Sequence, residues 1–192
     1  MTQPTHSGAG LHRPATLADL VAVPSTHTGH LISGSLHAFP RPRNLHSKAQ
    51  YRLGTRLSPF DPDASGPGGP GGWLLLHEPE LHPGGDALVP DLAGWRREGL
   101  DPTRFDPYPT VVPAWVCEVL SPSTETFDRG TKADSYTRHG VEWLWFIDPE
   151  ERFLEVFQQD QGWRLHKRWQ GNIDVSAPPF DAVTWPLGAL WG

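Results

Sequence analysis

Three residues have types and settings suited to metal-assisted chemistry on a phosphate group: Asp91, Glu118 and Lys132. Glu118 lies in Val-Val-Pro-Ala-Trp-Val-Cys-Glu-Val-Leu (111–120), which is otherwise apolar. A carboxylate buried without a partner is expensive, so a Glu there needs a cation, a metal ion or a proton. The competing reading is a Glu on the solvent side of an edge strand. Alternation argues against it, because Val116 would share that side. Asp91 follows proline in Leu-Val-Pro-Asp-Leu-Ala (88–93), again an acid in an apolar stretch; the competing reading is a turn aspartate. Two strand-borne carboxylates converging on one point form a hard-oxygen site of the kind Mg2+ prefers, completed by water and phosphate oxygens. Such an ion lowers the pKa of bound water and stabilises charge on phosphate. A nearby lysine would orient the water or offset that charge. Lys132 sits on the helix expected after the Glu118 strand, with Tyr136 four residues on and so on the same face. Taken alone, Lys132 reads as a solvated helix lysine.

The elements that must position these residues can be read from periodicity and punctuation. Thr16 is a plausible cap for a short helix over 17–23, ending before Pro24. Residues 29–38 read as two strands joined by a tight turn at Ser33-Gly34-Ser35. Leu45, Ala49, Leu53 and Leu57 recur every four residues and predict a helix over Asn44–Leu57. Lys48, Arg52 and Arg56 form a second stripe on it, read either as a solvated face or as a phosphate-facing surface. The Gly/Pro-rich segment 61–72 is expected to form neither helix nor strand, as a flexible insertion within the domain. Strands are expected at Trp73–His77, at 87–93 with Pro90-Asp91 inside, and at 110–120. A helix over 129–139 would have Asp128 as N-cap and Gly140 as its stop. Strands at 142–147, 153–158 and 163–168 follow, the last two as a hairpin around 160–162. A closing strand with a short final turn is expected over 180–191. There is no internal repeat. The length suits one domain over 16–192, preceded by a loose polar arm over 1–15.

Bulk composition narrows the function classes. Hydrophobic residues are 37% and charged residues 20% of the chain, enough apolar material for one core. The net charge of −6 argues against a general nucleic-acid coat protein, yet suits a site built from acids. The single Cys117 rules out a disulfide within the chain and fits a reducing cytoplasm. No apolar run approaches a membrane span, and the N-terminus lacks a signal-peptide pattern. Neither His27/His30 nor His77/His82 has zinc-ligand company at useful spacing. The glycines of 67–72 lack the Lys-Ser/Thr of a phosphate loop. Ser121 precedes proline on an ordinary turn, so no Ser-His-Asp arrangement can be argued.

Pro90-Asp91, Glu118-Val-Leu-Ser-Pro-Ser-Thr, Asp128, Lys132, Tyr136 and Gly140-Val-Glu-Trp-Leu-Trp-Phe-Ile-Asp148 together resemble the Uma-type family of putative restriction endonucleases, in the PD-(D/E)XK nuclease superfamily. Upstream, Gly34, Pro40-Arg41-Pro42 and His46 continue the likeness; downstream, 153–157 and 187–191 do. It spans about residues 16–191. The resemblance implies an α/β (α+β) fold with a restriction-endonuclease-like core, a mixed sheet flanked by helices. It implies an endonuclease that hydrolyses DNA phosphodiester bonds with Mg2+ (or Mn2+), with a homodimer among the assemblies common to such enzymes. Asp91 and Glu118 would hold the metal and act in catalysis with Lys132. The superfamily lysine normally stands two residues after the Glu; Leu120 is there, and Lys132 resembles a migrated replacement. Supporting roles fall to His46, Tyr136 and Ser35, and phosphate binding to Lys48, Arg52 and Arg56. His46 also reads as a helix histidine against the core. One departure stands out: the family usually carries Gly-Glu in the early turn, and this chain has Gly34-Ser35. Ser35 can hold a water but supplies no charge; Glu78 and Asp128 are the acids that would compensate. The alternative is a catalytically degenerate fold serving as a nucleic-acid or protein binding module. RNA or a nucleotide is not separable from DNA by these residues, because metal chemistry of this kind is not base-specific.

Overall fold

The computed structural model describes residues 13–41, 44–98, 100–105 and 107–192. Most of the expected arm, residues 1–12, lies outside them. At its end, the Ala15 N–H donates to the Gly34 carbonyl at 2.8 Å. After α1 (Leu17–Val21), the hairpin β1 (His27–Ile32) and β2 (Ser35–Pro40) turns at Ser33 and Gly34. Their φ values of 50° and 75° give the left-handed two-residue turn that matches strand twist.

A six-stranded sheet forms the centre, in the order β3-β4-β5-β6-β7-β8. These strands are β3 (Trp73–His77), β4 (Leu92–Arg96), β5 (Trp115–Val119), β6 (Trp143–Asp148), β7 (Phe153–Gln159) and β8 (Trp163–Gln170). Only β5 and β6 pair in parallel. A parallel pair needs a crossover, and here it is the helical segment 125–139. The expected mixed sheet flanked by helices is therefore the observed one.

Both faces of the sheet are covered, so its middle strands are apolar throughout. On β5, Trp115, Cys117 and Val119 pack on one side with Leu53 and Leu57 of α2 (Asn44–Leu57). Val116 and Leu120 pack on the other with Phe127, Ala133 and Tyr136 of the crossover. Glu118 shares that second face by alternation. Phe180 plugs the first core, its ring within 4.9 Å of the Phe60, Trp73 and Trp115 rings, edge-on to two of them.

Several expected boundaries shift, each for a local reason. The strand expected at 87–93 begins only at Leu92; Ala87 and Leu88 make isolated bridges, and Pro90 has no N–H to give a ladder. The strand expected at 110–120 begins at Trp115, after Pro113. The 61–72 segment, expected to lack regular structure, contains one helical turn, α3 (Pro62–Ser65). Asp61 caps it by accepting from the Asp63 N–H at 3.1 Å, with Pro62 in its first turn. In place of a closing strand, two residues of β10 (Trp185–Pro186) pair with β9 (Asp174–Val175), and a 3-10 turn follows at Leu187–Leu190. No helix among the described residues is long and apolar enough to cross a membrane.

Side chains occupy the outer edge of β3. Asp61 accepts from the Leu75 N–H at 2.9 Å, and Arg97 donates to the Trp73 carbonyl at 2.8 Å. At the other margin β8 presents exposed Arg164, His166, Lys167 and Arg168.

Buried Asp86 ties the hairpin turn to the crossover. It accepts from the Ser33 N–H (2.8 Å), the Ser135 hydroxyl (3.0 Å) and Arg138 (3.1 Å), with His139 at 3.0 Å. Burial alone would raise its pKa, but the Ser33 amide, His139 and Ser135 outweigh it, and the carboxyl lies below its ordinary value. A depressed folded-state value stabilises the protein above the unfolded aspartate pKa, and that contribution fades as pH falls through the folded value. Asp86→Asn should therefore cost about 1–3 kcal/mol at neutral pH, with a difference from wild type that shrinks below about pH 4. Urea unfolding across pH measures this; a difference independent of pH would contradict it. In the same assay Phe180→Ala should cost about 3–5 kcal/mol, and a loss under about 1 kcal/mol would show that the plug is not integral to the core.

Candidate active site

The crossover begins as α4 (Glu125–Phe127), passes through a π-helical turn (Asp128–Lys132) and ends as α5 (Ala133–His139). It was expected to start at Asp128 as N-cap; instead Asp128 is inside, and the Ala133 N–H reaches back five residues to its carbonyl. The π turn widens the helix locally and resets its phase. Gly140 ends the helix in the left-handed conformation, φ 83°, as its residue type led us to expect.

This turn delivers Lys132 to Glu118. The Lys132 ammonium is 2.7 Å from Glu118 Oε2, and the Tyr136 hydroxyl donates to Oε1 at 2.5 Å. Asp128 lies 3.4 Å from the same ammonium. The Glu118 and Lys132 side chains are 1% and 5% exposed, so neither charge is solvated by bulk water.

Asp91 arrives from the bend before β4. Its Oδ2 accepts from the Val119 N–H of β5 at 2.7 Å and lies 3.1 Å from His46 Nε2. Its backbone carbonyl accepts from Gln50 at 2.8 Å and from the Glu78 N–H at 3.0 Å. His46 and Gln50 are one turn apart at the start of α2, on the face that buries Ala49, Leu53 and Leu57. Leu45, read as part of that apolar stripe, is 39% exposed and lines the cleft instead.

Asp91, Glu118, Asp128, Lys132 and His46 all line one cleft of about 340 Å3. Phe39, Leu120 and Phe127 form an apolar wall beside them, with Arg41, Ser121 and Thr124 further along. The structure thus brings together Asp91, Glu118, Lys132, His46 and Tyr136. It does not bring in Ser35, which is exposed at the tip of the hairpin and pairs with Ile32, whereas Thr28 and Phe39 at the hairpin's other end line the cleft. Lys48, Arg52 and Arg56 also lie outside the cleft lining; Arg52 reaches the Leu190 carbonyl at 3.5 Å. Both acids considered as compensators for Ser35, Glu78 and Asp128, do line it. Sequence reasoning missed Gln50, His30 and Phe127. The polar pair His46/Gln50 interrupting an apolar stripe was the available signal for Gln50.

Electrostatics at the site favour an added cation. Burial pushes the Glu118 carboxyl up to about 8; Lys132 opposes the shift, while Asp128 and Asp91 add to it. Burial likewise raises Asp128. For Lys132 burial works downward, but Glu118, Asp128 and Asp91 together hold it above the ordinary lysine value. Burial also lowers His46, yet its bond to Asp91 and the Asp128 charge leave it raised. Three carboxylates thus share one ammonium. Among the described residues Asp91 Oδ1 takes no hydrogen bond and buried His46 Nδ1 finds no partner. Among the described residues no three His, Cys, Asp or Glu side chains make a ready metal cage. The donor set fits a hard divalent ion that keeps several waters and takes one or two carboxylates, with Asp91 and Glu118 the groups to hold it.

No match was found among curated proteins. Among solved structures the chain is similar to a putative nuclease belonging to DUF820 from Anabaena variabilis. That similarity has a TM-score of 0.69 at 20% identity and covers 93% of this chain and 98% of that one, which shows a shared fold. The model of the Uma2 family, described as putative restriction endonuclease, matches residues 18–186, and the chain therefore belongs to that family.

Proposed function

We propose that this protein is a metal-dependent endonuclease that hydrolyses DNA phosphodiester bonds at the Asp91–Glu118–Lys132 cleft. The observation that carries this reading is the contact of Lys132 with Glu118 at 2.7 Å, beside Asp91 fixed to the Val119 amide of the same strand as Glu118. Asp91 and Glu118 would hold the divalent ion. A bound Mg2+ or Mn2+ would supply Lewis-acid activation of the phosphate and a more acidic water. Tyr136 fixes Glu118 by its Oε1, and His46 with the Val119 N–H fixes Asp91 by its Oδ2. Asp91 thereby presents Oδ1, while Glu118 Oε2 is held by Lys132, and this fixed orientation spares reorganisation when charge develops. Lys132 orients the attacking water and offsets charge on the phosphate oxygens. Glu118, with Asp128 and Asp91, keeps Lys132 protonated, so it acts as a cation and not as a base.

Cleavage of DNA with Mg2+ or Mn2+ should stop on chelation. It should also fall about 100-fold or more in Glu118→Gln, which keeps the shape of the side chain. Cleavage that survives both Asp91→Ala and Glu118→Ala would overturn the site assignment. A stability cycle separates scaffold from chemistry. Lys132→Met alone should cost about 3–5 kcal/mol by leaving a buried carboxylate unpaired. Adding Glu118→Gln should recover part of that loss without restoring cleavage. Full activity in the double variant would make the pair structural only.

A further inference from the structure

The remaining question is which form of DNA the cleft accepts. At about 340 Å3 it falls at the lower end of the range of small-ligand sites, about 300–1,000 Å3. Its charge is also wrong for a duplex. Among the described residues, Glu78, Asp91, Glu118, Asp128 and Glu150 line it against Arg41 and Lys132 as permanent cations, an excess of acidic groups. Duplex DNA carries a phosphate about every 1.7 Å of axis and needs a matching basic track. The basic stripe Lys48, Arg52 and Arg56 does not line the cleft. What lines it beside the acids includes an aromatic wall. Phe39 is half-buried on β2, its ring 4.7 Å from that of Phe127, and the His30 ring lies tilted at 5.2 Å from Phe127. Burial first, then Lys132 and His37, push His30 down to about 2, so it stays neutral and adds to an uncharged wall. In a duplex the faces of a base are taken by its neighbours; an unpaired base offers them to such a wall.

We propose that the cleft takes DNA as a single strand, seating one unpaired nucleotide with its base on the Phe39 wall and its phosphate toward Asp91 and Lys132. The position of the phosphate rests on the nuclease reading; the preference for single strands is tested apart from it. Binding of a short labelled oligodeoxynucleotide and of its blunt duplex is read by fluorescence anisotropy, using the full wild-type chain with Ca2+ in place of Mg2+ so that every cleft acid is kept. The single strand should bind about tenfold or more tightly than the duplex. Phe39→Ala should weaken the single strand on the order of tenfold and leave the duplex unchanged, while Phe39→Tyr retains binding. Equal or tighter binding of the duplex, binding of neither, or indifference of the single strand to Phe39→Ala overturns the proposal. Cleavage by the wild-type chain with Mn2+ is scored separately. Single-strand binding without any cleavage leaves this proposal standing and removes the nuclease reading. Cleavage of blunt duplex as fast as single strand does the reverse.

Discussion

The buried contact between Lys132 and Glu118 is the constraint around which the site is organised. Two unit charges 4 Å apart attract by about 4 kcal/mol at an effective dielectric near 20. Removing each from water costs several kcal/mol, so a buried pair roughly breaks even against apolar replacements. The pair is a poor way to stabilise this fold, yet much of the architecture serves it. The parallel β5–β6 pair demands a crossover, the crossover carries the π turn, and the turn brings Lys132, Asp128 and Tyr136 around one carboxylate. An arrangement that stability alone would not favour points to chemistry as the reason for keeping it.

Asp91 shows how the same sheet supplies the second carboxylate. Because Asp91 precedes the antiparallel strand next to β5, it bonds to the Val119 amide directly beside Glu118. The α2 helix packs on the opposite sheet face through its later turns, and its first turn overhangs the sheet end, where His46 and Gln50 grip Asp91. One helix thus contributes both core packing and orientation of a site residue.

Features set by local pattern were legible in the sequence. The four-residue spacing of Ala49, Leu53 and Leu57 marked α2 to both its ends, and the Trp-Leu-Leu-Leu-His run marked β3. The Glu118 strand was recognisable because an acid in an apolar run has few physical excuses. Lys132 was different: nothing in its own neighbours separates it from a solvated lysine, and only the spacing of the surrounding motif linked it to Glu118. The π turn has no sequence signature, since it depends on where β5 and β6 hold the two ends of the crossover. Proline misplaced two strand starts. Pro90 and Pro113 lie in apolar runs, and a hydrophobicity pattern does not register a missing N–H. The placement of Ser35 away from the cleft depended on hairpin register, which sets one end of β1–β2 against the site and the other end away from it.

The margins of the sheet carry a consequence of their own. A strand with free amides and carbonyls is a template for another chain. On β3 that template is already read by Asp61 and Arg97, and on β8 it is fenced by side chains of like charge. Both margins thus disfavour ribbon-like growth from one copy to the next. Association through the faces, helices, hairpin or loops meets no such obstacle, so the six-stranded sheet is guarded against extension by another chain.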